Sequence, residues 1–197
     1  MTTFSERLKS LHSRNPDRVA VTLQFSGATD DLPLTVDQLL RGANCFARAL
    51  ERAGIRPGEV VILILQHSED LVCAYWGTIL HGAIPSIMPF LTEKLSPERY
   101  RADLSALISV TQPAALITYP EFESEIRSAL QEGDSVREVI VTNRMDRRSE
   151  LDFDSLSGFQ RQPEDIPAGE RTSSQPTRPT WGPVGPALTP SIDPSAH

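Results

Sequence analysis

Lysine is almost missing from this 197-residue chain, which has only Lys9 and Lys94. With a formal charge of -7, that scarcity argues against the clustered basic footprint that grips nucleic-acid phosphates, so no nucleic-acid partner is expected. Cysteine is limited to Cys45 and Cys73, with no CxxC and no His-spaced partner. Neither a disulfide framework nor a zinc site follows from that pattern, and both thiols read as reduced, core-filling hydrophobes. No apolar run approaches the roughly 20 residues of a membrane helix; the longest aliphatic stretch is VVILIL at 60–65. The opening MTTFSERLKS sets Glu6, Arg7 and Lys9 where a secretory leader would be apolar, so no signal peptide and a cytoplasmic location are expected.

Several catalytic signatures are missing too. After VVILIL the chain reads QHSED rather than GxGxxG, which leaves no glycine turn to admit a dinucleotide pyrophosphate. No GxSxG is present, and His12, His67, His81 and His197 have no apparent activated serine partner in sequence. His67, Glu69 and Asp70 invite a metal-site reading. Their spacing at a helix start does not converge as HExxH does, so capping and solvated charge are expected instead. His81, just before Gly82, is expected at a helix C-terminus, where the dipole favours it. Arg144, Arg147 and Arg148 alternate with Asp146 and Glu150 and read as a solvated loop. Trp76 reads as core. No catalytic, cofactor-binding or metal-ligating residue is assigned.

What the chain does contain is an alternation of strands and helices. Phe4, Leu8 and Leu11 share a helical face that Asn15-Pro16 ends. Residues 19–25 (VAVTLQF) read as a strand. Thr35 with Gln38 fits a capping box ahead of a helix whose apolar face runs from Val36 to Leu50, stopped at Gly54 and turned by Pro57-Gly58. VVILIL, apolar at every position, predicts a parallel strand buried on both faces. Ser68, Glu69 and Asp70 open the next helix, which reaches His81-Gly82, and residues 83–88 read as a short strand. Ser96-Pro97 starts a further helix carrying Tyr100, Leu104, Leu107 and Ile108. Residues 114–119, a helix bearing Phe122, Ile126 and Leu130, and residues 138–142 complete the series. Short connections between alternating elements predict an α/β domain, three-layer α/β/α with a mainly parallel sheet, over residues 1–162.

Beyond Gln162 the pattern changes. Eight of the sixteen prolines fall at 163 or later, and the large apolar residues there have no period. Ordering such a segment costs roughly 1–2 kcal/mol per residue in backbone entropy with little burial to offset it, so residues 163–197 are expected to be a Pro-rich disordered tail. Its PTRP (176–179) has the PxxP spacing of a groove-docking ligand.

The order of elements and several strings resemble the N-terminal portion of the AMP-forming adenylating enzymes, which include acyl-CoA synthetases, luciferases and peptide-synthetase adenylation domains. Residues 34–39 (LTVDQL) are similar to that family's L-[ST]-Y-x-E-L, with Val36 where Tyr is usual and Gln38 in place of Glu. The run from ARALERAGIRPGEVVILILQ to LHGAIP resembles the family's helix, turn, strand, helix and "aGa" series, with Gly82, Ala83 and Pro85 in the expected places. AALITY and EVIVT are similar to the strands that follow. The resemblance implies ATP-dependent activation of a carboxylic acid to an acyl-adenylate, then transfer to a thiol such as CoA, with ATP, Mg2+ and CoA as the complete family members' cofactors.

The family's phosphate loop, [ST]-S-G-[ST]-T-G-x-P-K-G, would follow the acidic stretch Pro163-Glu164-Asp165-Ile166. There the chain reads PAGERTSSQPTRP. Thr172-Ser173-Ser174 is not directly followed by glycine, and no lysine comes after Lys94. One lysine–phosphate contact at about 4 Å is worth about 4 kcal/mol at an effective dielectric of 20, so its loss weakens any ATP grip severely. The expectation is a truncated, inactive N-terminal piece with a foreign ending and none of those cofactors retained. It would meet a carboxylic acid only when completed by missing parts. Uncovered apolar surface and sheet edges would favour self-association. The alternative is a non-catalytic interaction module that pairs with a separately encoded remainder or docks through its Pro-rich tail.

Overall fold

The computed structural model describes residues 4–25, 27, 31–91, 96–144 and 151, all in the first of two units, Met1–Gln162 and Pro163–His197. The tail expected at 163–197 lies outside the described residues, as do Arg147 and Arg148. Helix α1 (Phe4–Arg14) leads to strand β1 (Val19–Leu23), which pairs antiparallel with β2 (Leu32–Thr35) in a small sheet of its own. The sequence pattern did not reveal β2, because Pro33 interrupts a very short run. Proline is tolerated there because this is a two-stranded ladder, whose outer side takes no strand bonds.

Thr35 then caps α2 (Val36–Arg52) as expected. Its hydroxyl accepts from the Gln38 N–H at 3.2 Å, and its own N–H donates to Gln38 Oε1 at 2.9 Å. Two orphan donors are thereby satisfied by one pair of side chains. The chain turns at Gly54 and Gly58 and enters β3 (Val60–Ile64).

The larger sheet has the order β4-β3-β5-β6, with β4 (Ile84–Ile87), β5 (Ala115–Thr118) and β6 (Glu138–Val141) all parallel to their neighbours. Parallel pairing demands crossovers. Helix α3 (Glu69–His81) links β3 to β4, and α4 (Pro97–Thr111) links β4 to β5. A single 3-10 turn, Pro120–Phe122, and α5 (Glu123–Ala129) link β5 to β6. The helix expected to carry Phe122, Ile126 and Leu130 is therefore shorter, with Phe122 in the turn before it and Leu130 beyond its end. Each full-length helix of the large sheet starts where its serine predicts: Ser68 accepts from Leu71 N–H at 3.4 Å and Ser96 from Arg99 N–H at 3.3 Å.

The pleat of β3 builds two cores at once. Val61, Leu63 and Leu65 face a cluster with Phe46 and Leu50 of α2 and Ala74 of α3. Ile62 and Ile64 face the opposite way, toward Leu104 and Ile108 of α4 and Ile126 of α5. Successive strand side chains point to opposite faces, so a strand apolar at every position needs helices on both sides. The three-layer α/β/α fold follows.

Helices α2 and α3 approach very closely. A Cβ placed on Gly77 would stand 2.4 Å from the Ala43 carbonyl oxygen and 2.6 Å from Phe46 Cβ. Helix α3 ends at Gly82 in the left-handed region, φ 86. His81 is buried there, its ring nitrogen 2.7 Å from the Ile55 carbonyl. It does sit at the helix C-terminus, but its role is to pin the turn before β3 rather than to serve the dipole alone.

Strand β4 forms one edge of the described sheet, with Ile84 52% and Ile87 54% exposed and Pro85 opposite Val61. Ile84 N–H donates to the Glu59 carbonyl at 2.8 Å and Met88 N–H to the Leu63 carbonyl at 3.0 Å. At the amino end of the sheet, Glu59 clamps three segments. Its carboxylate accepts from both terminal nitrogens of Arg137, from the Arg56 guanidinium and from the Arg56 backbone N–H at 2.7 Å. Arg137 also donates to the Gly54 carbonyl at 3.2 Å. No helix among the described residues is long and apolar enough to cross a membrane.

Two stability predictions follow from these contacts. The Arg137 hydrogen bonds, aided by Arg56 and opposed by burial, pull the Glu59 carboxyl from 4.5 down to about 2. A depressed folded-state value gives stability that is present above the unfolded value and lost as pH falls from about 4.5 toward 2. With 20% of the Glu59 side chain exposed, solvent screening reduces the effect, and Glu59→Gln should cost about 1–2 kcal/mol at pH 7. Urea melts at several pH values should show that deficit shrinking across the same window; an unchanged acid limb would contradict the clamp. Gly77→Ala should lower stability by about 2 kcal/mol despite the better helix propensity of alanine, because α2 must shift. The same melts should show its midpoint falling, and a rise would mean the helices yield freely.

Candidate functional site

Chain order in the sheet reverses around β3. The connection leaving β3 goes to α3 on one face, whereas the connection leaving its neighbour β5 goes to α5 on the other. Adjacent strands whose loops diverge this way open a crevice beyond their carboxyl ends, which is where open α/β sheets take ligands. Gln66 and His67 follow β3 there, and Tyr119 follows β5.

The Gln66 side chain lies beside the Tyr119 hydroxyl across this crevice. Tyr119 stacks on Phe122 with ring centroids 5.6 Å apart and planes at 16°. Phe122 in turn meets Tyr100 of α4 edge-on, at 5.4 Å and 82°. The Tyr100 hydroxyl donates to the Pro89 carbonyl at 2.7 Å, tying the loop after β4 to the same wall. Three successive β-α junctions thus converge on one aromatic stack. Burial raises the Tyr119 phenol above its ordinary range, against the opposing effect of Gln66. Burial, reinforced by Tyr119, raises Tyr100 further. Both rings are neutral at physiological pH. Tyr100 and Phe122 are buried and Tyr119 half-buried, and these side chains include no nucleophile paired with a base.

The residues weighed from sequence are dispersed. His67 is exposed. Glu69 and Asp70, in the first turn of α3, instead line a recess of about 220 Å³ with Gln38, Arg41, Cys45 and Cys73. No group of three or more His, Cys, Asp or Glu residues among the described ones is arranged to hold a metal ion. His12 meets Asp37 at 2.8 Å, linking α1 to α2, and His81 is the turn pin described above. Arg144 is held by Glu123 through two hydrogen bonds, at 2.9 and 2.7 Å. Trp76 packs between two apolar clusters. The stack was missed because Tyr100 and Phe122 looked like ordinary helix core. The available signal was positional: Gln66 and Tyr119 each stand just past the carboxyl end of a buried strand.

Comparisons with known proteins agree with this fold. The family model described as AMP-binding enzyme covers residues 9–183, running past Gln162 and taking in Thr172-Ser173-Ser174. The L-2-aminoadipate reductase large subunit of Penicillium chrysogenum is 27% identical over 185 residues, 91% of this chain but 12% of that protein. A dimodular nonribosomal peptide synthase of Bacillus subtilis is 27% identical over 154 residues, 75% of this chain and 6% of its own length. The chain therefore spans a small fraction of these relatives. Among solved structures, the N-terminal domain of FACL13 from Mycobacterium tuberculosis aligns with a TM-score of 0.59 at 19% identity, over 80% of this chain and 39% of that one. A fatty acid AMP ligase from Legionella pneumophila aligns at 0.57 and 15%, over 75% and 24%. At those identities the structural likeness is one of fold.

The Tyr100 contact gives a test of the wall. A raised folded-state value means that the neutral phenol supports the fold below about pH 10 and that this support is lost as pH rises further. Tyr100→Phe should cost about 1 kcal/mol near neutrality through the lost bond to Pro89. It should also flatten the alkaline limb of stability. Ultraviolet titration of phenol ionisation in the folded protein, alongside denaturant melts, checks both; ordinary titration of every tyrosine would contradict the buried stack.

Proposed function

Because the chain belongs to the AMP-binding enzyme family, we propose that it supplies the first part of an adenylating enzyme's substrate-binding body. The reaction it would serve is ATP-dependent activation of a carboxylic acid to an acyl-adenylate, followed by transfer to a thiol such as CoA. In this reading the aromatic wall at the β3–β5 crevice is one side of a ligand site that other segments complete. The observation that carries the proposal is the reversal of strand order around β3, with Gln66 and Tyr119 at its open end.

ATP and Mg2+ supply the leaving pyrophosphate and its charge neutralisation in that chemistry. The described residues do not fit them: Lys9, exposed in α1, is the only lysine among them, and no cluster of metal ligands is present. At residues 163–183 the sequence has no lysine, and the first glycine after Thr172-Ser173-Ser174 is Gly182, eight residues on. Backbone N–H groups approach phosphate closely where glycines allow it, and a lysine offsets the charge. We therefore propose that this 197-residue chain, a truncated piece in functional terms, does not form acyl-adenylate alone and retains none of the family's cofactors. Cytoplasmic location and self-association through Ile84, Ile87 and Val110, all exposed, belong to the same proposal. The second reading, a non-catalytic module completed by a separately encoded chain, is favoured by that exposed apolar surface.

Pyrophosphate release measured with a panel of carboxylic acids tests both. The expected result is no turnover by the chain alone, and turnover once the later segments of a family member are supplied in trans. Turnover by the isolated chain would overturn the inactive reading, and failure of every supplied remainder to associate would overturn the module.

A further inference from the structure

Eight of the twelve arginines among the described residues are held by carboxylates. Arg7, Arg14 and Arg18 have no carboxylate partner among those residues, and all three line one recess of about 480 Å³ beside α1. Ser10, Leu11 and Asn15 complete its lining, which therefore holds a hydroxyl and an amide but no acid. Glu6 and Asp17 are neighbours in sequence and do not line it. Arg14 is steadied by its own helix: its Nε donates at 3.1 Å to the Ser10 hydroxyl, one turn back along α1. In a chain of net charge -7, an acid-free recess with three guanidinium groups selects a negatively charged occupant.

A second recess adjoins the first. It is mainly apolar, about 300 Å³, and takes in Leu8, Val19, Val21 and Trp76, while Leu11 and Arg18 line both. Val19 is half exposed and Trp76 half-buried, so the described residues leave this lining partly uncovered. Small-molecule sites commonly measure roughly 300–1,000 Å³ and set a few placed polar groups in an apolar lining. The paired recesses have that size and that division of chemistry. Neither of them includes Gln66, Tyr100, Tyr119 or Phe122, so this surface is separate from the crevice past β3 and β5.

We propose that the two recesses together bind a small, soluble phosphate monoester carrying one apolar chain, with its head on the arginines and its chain against Leu8, Val19 and Trp76. A phosphate monoester near neutrality bears a charge of about -1.5 to -2 and three acceptor oxygens. That matches three guanidinium groups better than a carboxylate with a single charge, and the planar arginine fork pairs with phosphate through two parallel bonds. Arg7 and Arg14 leave α1 about 10 Å apart along its axis, and Arg18 follows the turn at Asn15-Pro16, so three long stems enter the recess from separate points. Because Arg18 lines both recesses, a head held there leaves its chain beside the apolar one. Phosphate alone would leave the apolar recess empty, and a neutral hydrocarbon would leave the arginines without an anion.

Titration of the full chain with octyl phosphate, inorganic phosphate and octanol tests this, in a Trp181→Phe background that leaves Trp76 as the sole tryptophan. Octyl phosphate should shift Trp76 emission to the blue and bind at least about tenfold more tightly than either other probe, a factor that burying two or three methylenes supplies. Added salt should weaken it. Arg18→Gln should weaken octyl phosphate about tenfold, and Val19→Glu should abolish the emission shift. Both positions are exposed, and circular dichroism checks that the variants stay folded. Equal affinity for octanol or for inorganic phosphate would overturn the proposal, as would binding that survives replacement of all three arginines by Gln. So would the absence of octyl phosphate binding. Retention on anionic phospholipid vesicles without binding of octyl phosphate would assign the surface to a membrane and overturn it equally. Pyrophosphate release enters none of these readouts, so the result stands apart from the adenylation reading.

Discussion

The burial of β3 from both sides is the constraint on which the rest of this unit depends. Val61 through Ile64 have no solvent exposure at all, so neither face of the strand can be left to water. One face is closed by α2 and α3 and the other by α4 and α5. Once helices must lie on both sides, the connections on either side of β3 must leave in opposite directions, and the crevice past its carboxyl end is a geometric by-product. The candidate site is thus a consequence of how the core is closed rather than a separate addition to it.

That dependence also orders the supporting contacts. The close approach of α2 to α3 at Gly77 lets one helical layer lie flat on the sheet. The Glu59–Arg137 clamp and the His81 bond to Ile55 secure the amino end of the strands, and the Tyr100 bond to Pro89 secures the carboxyl end. Polar contacts sit at the two ends of the strands, where backbone groups leave the ladder and need partners, while β3 between them is apolar throughout.

Much of this was legible in the sequence because the signals were local. Thr35 and Gln38 are three residues apart, and Ser68 and Ser96 stand directly before their helices, so each cap could be read without knowing the fold. VVILIL announced a strand covered on both faces. The strings around Gly82, Ala83 and Pro85 carried a family resemblance that the match over residues 9–183 bears out. What escaped were facts created by packing. The pairing of β2 with β1 depends on a partner strand, since Leu32-Pro33-Leu34 has too little pattern of its own. Gln66 meets Tyr119 only because β3 and β5 are neighbours. His81 looked like a residue serving a helix end, and only the fold brings the Ile55 carbonyl to it.

Pro85 has a quieter consequence. Ile84 and Met88 turn their N–H groups inward to β3, so by the two-residue alternation of a strand the groups at 85 and 87 face away. Proline has no hydrogen on its nitrogen, so the outer rim of β4 offers an incoming strand the carbonyls of residues 85 and 87 but only the Ile87 donor. Foreign backbone therefore finds a ladder with a missing rung, and contact there must be made through the isoleucine side chains rather than by extension of the sheet.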